Sequence, residues 1–252
     1  MLQLEALLDC VLMATNTDSI TDAVNSDPAA LEQRAGASGR MLIKAVDRAA
    51  HMQSGAIVKY VEWLRAGNPD ATPSEIQKMM DKHLKRLAMG SGAGAGAAAA
   101  IPGIGFVTGA AAVGAESLVF LDAATLYVMA SAYLRGVDIH DEERRRALIL
   151  VVLLGSAGTL IVDAAVGDLN KKNGASVAAT LTRFGAPRLK DVNSKLTAAA
   201  VKRMGKKFKA AWLGKLLPLG VGAVVGTFAN RTLAHKVISN ARTSLGPLPA
   251  EF

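Results

Sequence analysis

Along most of the chain, apolar residues recur at three- and four-residue steps, the spacing that gathers one face of an α-helix. Leu4, Leu7, Leu8 and Val11 mark a short helix over 2–13. Asp27-Pro28 opens another, with Asp as N-cap and Pro at the first helical position. Gly36 to Gly39 is a break. Leu42, Val46, Ala49, Ile57, Val61 and Leu64 then predict one long amphipathic helix over 41–65, ended by Gly67-Asn-Pro69. Thr72-Pro73-Ser74-Glu75 has the form of a capping box. The helix it starts carries Ile76, Met79, Met80, His83, Leu84 and Leu87 on one side. Lys78, Lys82, Lys85 and Arg86 form a basic outer face.

The amphipathic pattern then gives way. No residue from Leu87 to Ala115 is charged, and Gly90 to Arg135 reads as a glycine/alanine hairpin broken at Ile101-Pro-Gly-Ile-Gly105. A helical glycine costs about 0.8–1 kcal/mol relative to alanine, so close backbone contact must offset these residues. Gly92 with Gly96, Gly105 with Gly109, and Gly222 with Gly226 have the small-x3-small spacing that permits it. Ala147 to Val162 is the most hydrophobic run. As a helix it extends about 24 Å, short of a roughly 30 Å hydrocarbon core. Further helices are expected from Ser176 to Trp212, broken near Gly185-Ala-Pro187, and from Leu216 onward. Period-two alternation is absent. The expected fold is all-α, a helical bundle with the glycine/alanine-rich hairpin at its centre. Residues 1–70 form an N-terminal helical region packing on a domain over 71–246, and 247–252 form a loose tail.

Composition sharpens this picture. Hydrophobic residues make up 51% and aromatics only 4% of the chain, which favours closely apposed helices over sheets. The single cysteine, Cys10, excludes an intrachain disulfide and suits a reducing compartment. Glu5 and Asp9 stand where an export signal would place basic residues, so a cytoplasmic origin is expected. Charge is unevenly placed. Between Lys171 and Lys215 twelve Lys or Arg face one acid, Asp191, and the rest of the chain holds 17 basic and 20 acidic residues. The whole excess sits in one segment, which points to a polyanionic surface.

Within that segment Lys202, Arg203, Lys206, Lys207, Phe208, Lys209, Trp212 and Lys215 are the candidate lipid-binding residues. Met204, Phe208 and Trp212 align at helical steps as an apolar-aromatic edge flanked by lysines, the composition of an interfacial helix. Nucleic acid is the disfavoured alternative, because no helix-turn-helix, zinc-finger or RNA-binding signature accompanies the lysines. Asp122 stands in an otherwise apolar helix and requires water or a buried partner, for which Asn230 and Arg231 are the candidates. His51, His83, His140 and His235 lie far apart, without zinc-ligand spacing. Neither a nucleophile elbow nor a phosphate-binding Gly-Lys-Ser/Thr loop is present. No metal, cofactor or catalytic residue is therefore expected, and the reading leans away from an enzyme.

Two stretches carry a family resemblance. One is Leu121-Asp122 with Tyr127 to Tyr133-Leu-Arg-Gly136-Val-Asp138 and Glu143-Arg144-Arg145. The other is Leu217-Pro218-Leu-Gly220-Val-Gly222 through Gly226 to Asn230-Arg231, followed by Ala241-Arg242. Over approximately Lys82 to Leu245 the chain resembles the EcsC-like family. It departs in Ala123-Ala124, where a Pro-containing stretch commonly follows the Asp, and in Leu134-Arg135 before Gly136. The resemblance implies a bacterial α-helical protein, cytoplasmic or membrane-associated, the namesake being encoded alongside an ABC transporter. It brings no catalytic residues.

The expected function is non-enzymatic binding to an anionic membrane surface at the inner face of the cell membrane, with a membrane protein such as a transporter as a further partner. Two alternatives stand beside it: a pore-forming or integral protein inserting 90–134 and 147–162, and a hydrolase of unspecified substrate. Oligomeric state is left open.

Overall fold

The capping box predicted at Thr72 forms: the Thr72 backbone N–H donates to Glu75 Oε2 at 2.8 Å, and the Glu75 N–H donates to Thr72 Oγ1 at 3.3 Å. The computed structural model describes residues 37–51, 54–99, 120, 122–166, 175–215 and 221–252. For 37–39, 41, 42, 45, 49, 90–99, 203–215 and 221–230 it describes the backbone alone. Among the described residues there are nine α-helices and no strand, so the chain is all-α. In order they are α1 (Ala37–Ala50), α2 (Ser54–Ala66), α3 (Pro73–Ala99), α4 (122–133), α5 (Glu142–Leu154), α6 (Ser156–Val166), α7 (Val177–Thr182), α8 (Ala186–Lys215) and α9 (Val221–Leu245).

The core is built around α5. Ala147 to Val152 and Leu154 are buried on every side of the helix, with α1, α6, α7, α8 and α9 packed against it. A helix that is apolar all round is stable only in such a position. Fully burying each of Leu148, Ile149 and Leu150 contributes about 1.5–3 kcal/mol. Asp141 caps the first turn, its Oδ1 accepting the Arg144 N–H at 2.7 Å. Arg145, 8% exposed, donates to the carbonyls of Ala50, Ile139 and His140 at 2.7, 2.7 and 2.9 Å.

Three elements differ from the sequence expectation. The helix expected over 41–65 is two helices, and α1 starts at Ala37, running over the supposed break at Gly39. Its end has a physical cause: Arg145 takes the Ala50 carbonyl, which a continuing helix would have given to the Ser54 N–H. The apolar run 147–162 is also two helices. Gly155, at φ 62°, ends α5, and Asn240 Nδ2 reaches from α9 to the buried carbonyl of Val152 at 2.9 Å. Among the described residues, no helix is long and apolar enough to cross a membrane. The tail is not loose: Leu248 packs against the core, and the Arg65 guanidinium lies 3.9 Å above the Phe252 ring.

Helices α3 and α9 pack against each other along an extensive contact. They run antiparallel, since Asp81 meets Arg242 while Lys85, further along α3, acts on His235, earlier in α9. This brings the glycine/alanine end of α3, containing Gly92 and Gly96, level with the start of α9, containing Gly222 and Gly226. Gly105 and Gly109 lie outside the described residues.

At Gly158, near the start of α6, the backbone of α5 comes close. A Cβ there would lie 2.8 Å from Val151 Cα and 2.9 Å from the Val151 carbonyl oxygen. Gly158→Ala is expected to lower unfolding stability by about 1–3 kcal/mol, measured by urea denaturation, because backbone rather than a side-chain tip must move.

Candidate functional site

The polar residues that the fold does bury were not the ones the sequence singled out. On α3, Gln77 and Asp81 lie one helical turn apart, flanking the apolar face formed by Ile76, Met80 and Leu84. From α4, the Tyr127 hydroxyl donates to Asp81 Oδ1 at 2.7 Å. Gln77 Nε2 lies 3.0 Å from Tyr127 Oη, 3.1 Å from Ser131 Oγ and 3.2 Å from Asp81 Oδ1. Arg242 of α9 donates to Asp81 Oδ2 from the half-exposed edge. Arg135 donates to Gln77 Oε1, the Ser131 carbonyl and the Gly246 carbonyl, each at 2.8 Å. Both Asp81 oxygens are engaged by protein donors, so this cluster serves first as a polar latch joining α3, α4, α9 and the residues after it.

Asp122 does not join that cluster. Its side chain is 36% exposed and pairs with Arg48 of α1 at 3.1 Å. Arg231 is exposed, and the Asn230 side chain lies outside the described part. The expected buried Asp122–Asn230–Arg231 grouping is thus replaced by a surface ion pair between residues 74 apart in sequence. That distance explains why local reading missed it.

The candidate lipid-binding residues from Lys202 to Lys215 lie on one helix. Helix α8 runs 30 residues to Lys215, carrying Lys202, Arg203, Lys206, Lys207, Phe208, Lys209, Trp212 and Lys215. Lys202 is half-buried, and the side chains beyond it lie outside the described part. Only a short connection separates Lys215 from Val221, so the end of α8 lies close in the chain to the start of α9, which is paired with the far end of α3.

Among the cavities on the described surface are a polar cleft and an apolar groove. A cleft of about 300 Å³ between α1, α5 and α8 contains the Asp47–Arg146 pair at 2.9 Å, with Asn193 donating to Glu143 Oε2 at 2.7 Å. A groove of about 530 Å³ lies between α2, α3 and α4, floored by Met80, Leu84 and Tyr127. Its rim is aromatic. Tyr60 and Trp63 stack with ring centroids 6.5 Å apart, and Tyr60 Oη sits 2.9 Å from His83 Nδ1. Among the described residues, no group of three His, Cys, Asp or Glu is placed to hold a metal ion.

No protein-family model, curated protein or solved structure matches the chain.

Burial sets the electrostatics of the latch and groove. The Tyr127 phenol is pushed far above its ordinary value, first by desolvation and then by the Asp81 charge. Burial raises Tyr60 to about 12. Desolvation lowers the Arg135 guanidinium. On the exposed side of α9, His235 is held below its ordinary value, by partial desolvation first and then by Lys85 and Arg231. Both tyrosines therefore bind protons more tightly folded than unfolded. The stability they confer is complete below the phenol's ordinary value of 10 and declines as pH rises from there through the folded values. Unfolding free energy is expected to fall above pH 10, and Tyr127→Phe should blunt that fall. At pH 7 the same variant should lose about 1–3 kcal/mol, since buried Asp81 loses a donor. Urea titrations from pH 7 to 11 measure both effects.

Proposed function

We propose that this chain is a non-enzymatic α-helical protein that binds an anionic membrane surface through the second half of α8, at the inner face of the cell membrane. The carrying observation is the concentration of positive charge along one continuous helix that also bears Phe208 and Trp212. Such a helix lies in the headgroup layer, its aromatic residues reaching the acyl boundary while its lysines meet lipid phosphates. The absence of a spanning helix among the described residues supports a peripheral mode, as does the division of 147–162 by Gly155 within a packed core. The EcsC-like resemblance adds a membrane transporter or envelope process as the setting, with a membrane protein as second partner.

Flotation with vesicles is the test. The protein should float with anionic vesicles at low salt, much less at high salt, and not with neutral vesicles, because exposed charges are screened beyond about 10 Å at 0.1 M salt. Each lysine near such a surface contributes about 1 kcal/mol. Replacing Lys206, Lys207 and Lys209 by Gln should therefore weaken binding roughly 100-fold. Absence of flotation with anionic vesicles overturns the proposal. Release of an encapsulated dye would favour insertion instead.

A further inference from the structure

The groove between α2, α3 and α4 has features that the reading based on α8 does not use. Trp63 is 65% exposed and Leu87 43% exposed. Trp63 stacks beside Tyr60 and lies 6.4 Å from the His83 ring, so the aromatic surface continues into the groove. Exposed Trp and Leu joined to an apolar hollow form a patch that calls for a partner. Arg86 lines the groove, and Lys59 on α2 and Lys82 on α3 are further exposed cations on the helices that form it. The nearby acids are already engaged: Glu62 by Arg65 at 3.0 Å, and Asp122 by Arg48 at 3.1 Å. The patch is therefore apolar and aromatic at its centre and cationic at its edge.

That arrangement complements one kind of surface closely. An anionic phospholipid layer presents phosphates to the cations, while Trp and Tyr favour the headgroup boundary, where one end of the ring is dry and the other wet. A second copy of the chain would bring Lys59, Lys82 and Arg86 against like charges in a twofold contact. We infer that the Tyr60–Trp63–Leu87 groove is a second lipid-contact site, with Trp63 and Leu87 entering the headgroup–acyl boundary in addition to the contact made by α8. This inference rests on the membrane-surface reading above and names a site within it.

The chain's two tryptophans permit a test that separates the two sites. Trp212→Phe leaves Trp63 as the only indole, and Trp63→Phe leaves Trp212. Anionic vesicles containing brominated acyl chains should quench Trp63 emission in the full-length Trp212→Phe variant and shift it to the blue. Leu87→Glu, at an exposed position, should retain the parent helical circular dichroism while reducing vesicle partition roughly tenfold. Flotation with Trp63 unquenched overturns the inference and leaves the α8 reading intact. Shielding of Trp63 from acrylamide before vesicles are added also overturns it, since the chain itself then fills the groove. No flotation removes both readings.

Discussion

Helix α5 buries almost its entire circumference, and that requirement governs its neighbours. A helix in this position must find partners for the polar groups it buries. Partners must come from elsewhere in the chain, and each such demand fixes another element. Asn240 reaches from α9 to the last turn, placing α9 beside α5. At the first turn, Arg145 cannot remain buried as a bare cation, and three backbone carbonyls surround it. One of them ends α1, so the position of α1 follows from the charge it neutralises. The negative end of the α1 dipole meets the guanidinium there.

The Asp81 cluster performs the equivalent task for α3, α4 and α9. Gln77, Asp81, Tyr127 and Ser131 are buried with their polar atoms directed at one another. Apolar packing alone permits helices to slide by a turn; a carboxylate with two fixed donors does not. The latch and the aromatic groove share Tyr127, whose ring floors the groove while its hydroxyl serves Asp81. The groove wall is consequently positioned by the polar core beneath it. This is a physical basis for a surface patch with defined shape.

Features set by adjacent residues were legible in the sequence. The Thr72–Glu75 box and the start after Ser176 each depend on three or four consecutive positions, and each forms. The long apolar periodicities also identified the all-α class. Features set by distant partners were not legible. Gly155 was counted within an apolar run because its role depends on φ and on Asn240. Arg145 was one of three consecutive arginines, and nothing local distinguished the buried one. Asp81 lay beside an apolar face and was passed over, whereas Asp122, alone among apolar neighbours, attracted attention and proved to be on the surface. Isolation in sequence is a poor guide to burial when the compensating charge belongs to another helix.

The latch also has a bearing on synthesis. Asp81 and its partner Arg242 are separated by 161 residues. At about 5–20 residues per second, a ribosome takes roughly 8–30 s to make the second after the first. Throughout that interval α3 lacks its principal packing partner, and one side of the Asp81 carboxylate lacks its cation. Local caps can form helices as they emerge, and α2 and α4 are made early, but the contact of α3 with α9 must await the last described helix. A nascent chain of this design presents that surface to the surrounding cell, and the interval sets how long a chaperone has to cover it.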